Sequence, residues 1–528
     1  GGVMAAPTMP RQKRPVVERL LSNAALVGMA TLVSSVTGFV RDIFIAALLG
    51  AGPLAEIFVI AFRLPNLFRR LFAEGAFNAA FVPLFSAKLE QEGRAAALVF
   101  GGQVLSVLLA ALCVFTLLAQ LFMPALVLAL AQGFAGEADK FDAAVHYARI
   151  SFPYLIAMSL VSLFAAMLNA VGRFFAAAFA PVLLNLVLIG AMLAALAVGG
   201  APLDYLIWGV ALAGLAQFAF VFVAAYRAGL ALRVSRPRLS ADVRRVWGLA
   251  VPGILAAGIG QINLLVGTSI ATGQAGAAAW LYYADRLYQL PMGVIGVALS
   301  VALLPNLSRH LAGGDTDAAT GSQNMALLAA GLLTLPAAAG LFVLAAPIVA
   351  LLFERGAFAS ADTRVTAQLV QAFCLGLPAF VFVKALQPSF FARQDTKAPL
   401  LDGAIGVGVN ISLSLTFFPL YGALAIALAT SAAGWVTLTL TIWRLAVRNL
   451  WRADANLLLR LLAQILAALG MAVALHRIAD FWPAPQGLAA LAGYVAALVA
   501  FGAVVFFALA RLLGALRAGD FDRLRGRE

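Results

Sequence analysis

The sequence predicts an all-α polytopic membrane protein of about 14 transmembrane helices, twelve of them in two parallel copies of a six-helix unit. Three observations carry this. The 528 residues are 63% hydrophobic and only 11% charged, where average soluble domains are about a quarter charged, and the mean hydropathy is +0.98. Apolar runs of about 20 residues or more, enough to cross a hydrocarbon core of about 30 Å, follow one another along the whole chain. Short motifs recur about 220 residues apart, the mark of an internal repeat. The composition excludes a soluble globular enzyme, a disordered chain and a secreted disulfide scaffold. Cys113 and Cys374 lie in apolar runs and give neither a CxxC nor a zinc spacing. His146, His310 and His476 are scattered, so no local metal cluster is expected.

In chain order the stretches are 23–50, 55–87, 96–130, 147–170, 174–199, 203–229, 243–271, 275–308, 322–353, 365–391, 398–418, 421–446, 457–475 and 487–511. The first follows a basic segment, Arg11 to Arg19. It is too long for the apolar region of a cleaved signal peptide and has no A-x-A exit. The third is longer than one crossing needs, and its end after Pro124 is expected to run on outside the membrane. The basic residues between stretches set the topology. With the N-terminus inside, 24 of the 36 Lys and Arg fall on the cytoplasmic side. These include Lys88 and Arg94, Arg173, the group from Arg227 to Arg245, Arg393 with Lys397, and Arg444 to Arg452. Outer loops hold five: Lys140, Arg149, Arg355, Arg364 and Arg477. This positive-inside bias predicts cytoplasmic termini and an even number of helices. It also explains the net charge of +13 without a nucleic-acid partner.

The repeat is read from four echoes. Arg63-Leu64-Pro65 answers Arg286-Leu287, and Pro83-Leu84-Phe85-Ser86 answers Pro305-Asn306-Leu307-Ser308. The loop from Arg173 to Pro181 answers Arg393 to Pro399 at both of its ends. An offset of six spans makes the copies parallel in topology. The expected domains are a cytoplasmic N-terminus (1–22), an N-terminal six-helix lobe (23–229), a basic cytoplasmic linker (230–242), a C-terminal six-helix lobe (243–448), two extra helices (449–515) and a cytoplasmic tail (516–528).

Charges within spans are costly, about 2.5–3.5 kcal/mol at mid-bilayer on insertion scales, so each needs a cavity or a partner. Span 1 carries Arg41 and Asp42. Span 2 carries Glu56, Arg63, Arg69, Arg70 and Glu74, and span 8 carries Asp285 and Arg286. At about 1.5 Å per residue, Arg41, Arg69 and Arg286 fall in the central region of their spans. Lys384 and Arg460 sit near inner ends, where long basic side chains can snorkel. Arg70 and Glu74, at i and i+4, can pair within their helix. Pro65 is expected to kink or break span 2 beside the arginines. Two readings fit the central group: buried ion pairs that lock helices, or an anion-binding cavity. The basic excess favours the second, because the planar guanidinium stays charged and suits bidentate phosphate binding. Asn263, Asp402 and Asn410 are candidate ligands for a coupling monovalent cation, and such polar residues also serve helix packing. No GxSxG, Walker A or HExxH motif occurs, and no extramembrane segment is long enough for an ATPase domain. The expectation is therefore a transporter rather than an enzyme. It has no cofactor and runs on an ion gradient, the membrane potential or the substrate's own gradient.

Several of these motifs resemble one family. Gly38-Phe39-Val40-Arg41-Asp42, Gly50-Ala51-Gly52 and the run from Phe62 to Phe77 (FRLPNLFRRLFAEGAF) are similar to the MurJ (MviN) lipid II flippases, within the multidrug/oligosaccharidyl-lipid/polysaccharide exporter superfamily. Gly133-Phe134, Phe152-Pro153-Tyr154, Tyr282 to Leu287 and Arg393-Gln394-Asp395 also fit. The resemblance runs through spans 1–12 and is weak over 13–14.

It implies two six-helix lobes and two C-terminal helices around a central cavity, in the bacterial inner membrane. It implies flipping of lipid II, the undecaprenyl-diphosphate-linked peptidoglycan precursor, from inner to outer leaflet by alternating access. By resemblance, Arg41, Arg69 and Arg286 bind the diphosphate. Asp42, Arg63, Arg70, Glu74 and Asp285 are supporting cavity charges, and Glu56 matches an acid near the start of span 2. The two extra helices are a candidate groove for the lipid tail. One departure stands out: where the family has Ser-Arg-Val before this motif, the chain reads Ser34-Ser35-Val36, so Ser35 replaces an arginine. Implied partners are lipid II, membrane lipids and cell-wall synthesis proteins. The alternatives are an exporter of another polyprenyl-linked oligosaccharide and a non-transporting scaffold for cell-wall synthesis.

Overall fold

The computed structural model describes residues 14–72 and 76–517. The residues outside it include Glu74, most of the predicted N-terminal segment and most of the predicted tail. Among the described residues every regular element is helical. In order these are α1 (Arg14–Leu49), α2 (Pro53–Phe72), α3 (Ala76–Gln91), α4 (Arg94–Leu121), α5 (Met123–Leu130), a short 3-10 turn (Gln132–Gly136), α6 (Ala138–Ser151), α7 (Tyr154–Ala170), α8 (Phe175–Val198), α9 (Pro202–Arg227) and α10 (Ala241–Ala271). Then come α11 (Ala277–Ala312), α12 (Thr316–Val343), α13 (Ala345–Phe353), α14 (Ser360–Leu386), α15 (Pro388–Phe391), α16 (Lys397–Tyr421), α17 (Ala423–Val447), α18 (Ala455–Phe481) and α19 (Leu488–Leu512).

The chain is a multi-pass membrane protein. Eleven described helices are long and apolar enough to cross a bilayer, so the predicted count of 14 is not reached on that criterion. The other three predicted spans coincide with α2 with α3, α10, and α11. α2 alone carries Glu56, Arg63, Arg69 and Arg70 within 20 residues. Charge at that density needs partners other than lipid. Local signals set the boundaries. α9 opens on Pro202, which needs no donor partner at a first turn. α12 and α18 open on Asp315 and Asp454, whose carboxylates accept from the amides of Ala318 (2.9 Å) and Leu457 (2.7 Å).

The helices group into two compact units. The first comprises Gly1–Ile45, Ile60–Leu128 and Asp139–Gly258. Within it α8 packs on α9, α7 on α9, and α3 on α4 and α7. Phe77, Phe81 and Phe85, four residues apart, stack down one face of α3, and Phe81 also stacks on Phe100 of α4 at 5.7 Å. Residues 230–240 form no regular element, and the Ser235 amide there donates to Ser106 Oγ of α4 at 2.9 Å.

The second unit comprises Ala46–Val59, Ala129–Ala138 and Ile259–Glu528. Its centre is α14, packed by α11, α12 and α17, with α16 against α17. The two helices outside the repeat pack here. α18 lies on α12 and α19, and Leu344, Ala467, Met471, Leu475, Leu498 and Phe506 form their shared core. Arg460 of α18 does not snorkel. It is buried and donates through Nη2 to the Ala515 carbonyl at 3.0 Å, just past the end of α19.

These units differ from the lobes expected from the sequence. Residues 46–59 and 129–138 fall in the expected N-terminal lobe but belong to the second unit. The contacts there are backbone-close. The Ala357 amide donates to the Ala47 carbonyl at 2.8 Å, and Tyr283 Oη donates to the Gly50 carbonyl at 2.7 Å. Gly356 makes this approach possible: its φ is +59°, and a Cβ there would lie 2.2 Å from the Ala47 oxygen.

Candidate functional site

Arg41 sits in the last third of α1 and is 6% exposed. Its Nε and Nη2 donate to Asp42 Oδ1 at 3.0 and 2.7 Å. Its Nη1 donates to Asn185 Oδ1 of α8 at 2.9 Å. Asp42 is 1% exposed. A buried charge is tolerable only when paired and hydrogen-bonded, and here a carboxylate and a neutral amide share one guanidinium.

α2 presents the remaining first-unit arginines. Asn66 turns its Nδ2 onto the Phe62 carbonyl at 2.8 Å and its Oδ1 towards Arg69 Nε at 3.1 Å, which orients that guanidinium. Arg63 and Arg69 are half-buried and Arg70 is exposed. Of the kink or break expected at Pro65, the break does not occur: α2 runs unbroken through it. Proline lacks the N–H that would have bonded the Ala61 carbonyl four residues earlier. Ser151, fully buried at the end of α6, donates its hydroxyl to that carbonyl at 2.7 Å.

Ser35, where the family pattern has arginine, is exposed and donates its hydroxyl to the Thr31 carbonyl of its own helix at 2.9 Å. The hydroxyl proton is used within α1. Glu74, predicted as a supporting charge, lies outside the described residues. Glu56 is described, and it is 1% exposed within the second unit.

In the second unit the Arg286 guanidinium stands over the Tyr282 ring, 5.0 Å from its centroid. One helical turn separates the two, so the contact follows from their i,i+4 spacing. Asp285 accepts from Gln289, again at i,i+4.

The three candidate cation ligands divide. Asn410 Nδ2 donates to Asn263 Oδ1 at 2.8 Å, tying α16 to α10. Asp402 is elsewhere on α16, fully buried, and accepts from Arg444 Nε and Nη2 of α17 at 3.0 and 2.7 Å. Its charge is matched by that arginine. Among the described residues no group of three or more His, Cys, Asp or Glu is placed to hold a metal. A cavity of about 570 Å³ in the second unit, lined by Leu265, Val266, Ile270, Leu415, Phe418 and Gln132, contains none of the predicted charges.

The sequence singled out Arg41, Asp42, Arg69 and Arg286, but not Asn185, which bonds Arg41, or Ser151, which bonds the Ala61 carbonyl. Asn185 is a single asparagine in a 24-residue apolar helix, and Ser151 precedes the quoted Phe152-Pro153-Tyr154. An isolated amide in a membrane span was the available signal.

A family model described as Lipid II flippase MurJ matches residues 45–492. A protein of Rhizobium meliloti (strain 1021) named as a probable lipid II flippase MurJ is 46% identical over 507 residues, covering 94% of each chain. A solved structure of lipid II flippase MurJ in an inward closed conformation shares the fold, with a TM-score of 0.79 at 23% identity over 94% of this chain and 99% of that one. An inward-facing multidrug resistance MATE transporter of the MOP superfamily is more distant, with a TM-score of 0.63 at 15% identity over 81% of this chain and 98% of that one.

Proposed function

This chain belongs to the lipid II flippase MurJ family, and on that premise we propose that it flips lipid II from the inner to the outer leaflet of the bacterial inner membrane. In this reading Arg41, Arg69 and Arg286 hold the diphosphate and the chain works by alternating access. The supporting observation is the buried Arg41 guanidinium, held by the carboxylate of its chain neighbour Asp42 and by the neutral amide of Asn185. A guanidinium is well matched to a diphosphate, because it stays charged in a poor dielectric and offers two parallel N–H groups to a phosphate.

Both termini lie in the cytoplasm, a reading supported by the Lys and Arg distribution. The membrane potential, negative inside, favours return of the empty cationic site towards the inner face, at about 2.3 kcal/mol per charge per 100 mV. The carried lipid needs no cofactor from the protein. Cell-wall synthesis proteins are candidate partners.

The test uses cells depleted of their own flippase. Wild type, Arg41→Ala and Arg286→Ala are expressed at equal membrane abundance, and lipid II accessible at the outer face is measured. Restoration by wild type and loss in both variants is the expected result. Failure of wild type points to another polyprenyl-linked substrate. Restoration by all three reduces the arginines to structural ion pairs.

A further inference from the structure

We infer that Asn185 is a positioning residue for diphosphate capture, acting through Arg41; the inference rests on the proposed role of that arginine. Ser34, Thr37, Gly38 and Arg41 are spaced i, i+3, i+4 and i+7, so they share one face of α1. Asn185 of α8 lies along that face. Its Nδ2 donates to the Ser34 carbonyl at 3.0 Å and to Thr37 Oγ1 at 3.2 Å. Its Oδ1 accepts from Arg41 Nη1 at 2.9 Å. Gly38 gives the amide room, because a Cβ there would stand 3.3 Å from Nδ2.

The amide can face only one way. A carbonyl oxygen accepts and never donates, so the Ser34 carbonyl must meet the NH2 group. Thr37 gives its own proton to the Val33 carbonyl at 2.8 Å and meets the same NH2 as an acceptor. That leaves Oδ1 for Arg41. Contacts along α1 thus fix one acceptor, and that acceptor holds the Nη1 end of the guanidinium while Nε and Nη2 face Asp42.

The neutrality of Asn185 matters as much as its geometry. Asp42 already places one carboxylate on Arg41. A second would add negative charge beside the guanidinium and repel a diphosphate. An amide holds the guanidinium without that repulsion.

The experiment is binding of undecaprenyl diphosphate to the purified full chain in nanodiscs, for wild type, Asn185→Ala, Asn185→Asp, Gly38→Ala, Arg41→Ala and the double variants with Arg41→Ala. A hydrogen bond to a charged group predicts a loss of about tenfold for Asn185→Ala. Asn185→Asp, nearly isosteric, is expected to bind more weakly still, and Gly38→Ala to lose about twofold to threefold by displacing the amide. On the Arg41→Ala background the Asn185 substitutions are expected to cost nothing further, since a positioning residue has nothing left to position.

Several results overturn the inference. One is Asn185 and Gly38 variants that bind as wild type while Arg41→Ala loses affinity; the arginine site then stands without its positioner. Another is additive losses in the double variants, which make Asn185 an ordinary helix tie. Retained binding in Arg41→Ala removes the site reading itself and the inference with it. Gly38→Ala keeps the test decisive if Asn185→Asp does not accumulate, because it moves the amide without changing it.

Discussion

Arg41 and Arg444 each hold an aspartate at 2.7 Å on an apolar helix, but the two pairs are built differently. Arg444 on α17 reaches across to Asp402 on α16, with Thr441 at 3.4 Å from the other carboxylate oxygen. That pair ties two helices. Moving them apart would leave a charge uncompensated in a low dielectric. Arg41 donates to its immediate neighbour Asp42 and also to the neutral amide of Asn185 on α8. The first arrangement suits a fixed joint. In the proposed reading, the second suits a group that exchanges partners with a passing anion.

The largest expected effect tests the second arrangement. Arg41→Ala should lower flipping by about thirtyfold or more at equal abundance, the cost of truncating one member of a buried charged pair. Outer-face lipid II accessibility checks it, and near-normal transport would dissolve the contrast.

Asp402→Ala should act on stability first. Leaving Arg444 uncompensated costs about 3–5 kcal/mol, read as lost abundance and a lower unfolding temperature in detergent. The double change Asp402→Leu with Arg444→Met should recover most of that and keep transport, because apolar replacement of a buried pair is often neutral. If the double variant is stable but does not transport, Asp402 belongs to the working site and the comparison must be redrawn.

Ser151→Ala is expected to cost about 1–3 kcal/mol by stranding the Ala61 carbonyl opposite Pro65. A thermal unfolding shift without change in the Arg41 cluster would confirm that this repair is local to α2.

The smallest effect falls outside the spans. Hydrogen bonds from Lys88 to Asp242 and Glu92 raise its pKa above the ordinary lysine value. The stabilisation is therefore present below that ordinary value and lost as pH rises through the raised one. Lys88→Met should lower stability by under about 1 kcal/mol at neutral pH, with the two unfolding curves converging at strongly alkaline pH.

The site was partly legible before any coordinates. Arg41, Asp42, Arg69 and Arg286 stood out because charge in an apolar run is improbable without a reason. Asp402 stood out as a candidate cation ligand, but the sequence could not say that Arg444, 42 positions on, answers it. Asn185 did not stand out, since one amide among 24 apolar residues costs little. Of the two outcomes expected at Pro65, the break does not occur, and the sequence could not show that Ser151 of α6 supplies a donor to the Ala61 carbonyl.

By itself the sequence determined that this chain is helical, membrane-spanning and supplied with buried arginines. Those properties follow from composition and from periodicities within one helix, where each residue's neighbours are known. Only the tertiary structure decided that residues 46–59 and 129–138 pack with the second unit, that Ser151 completes α2, and that Asn185 aims Arg41. These rest on contacts between distant segments. They depend on where a carbonyl is left open, or a Cβ is missing, on another helix.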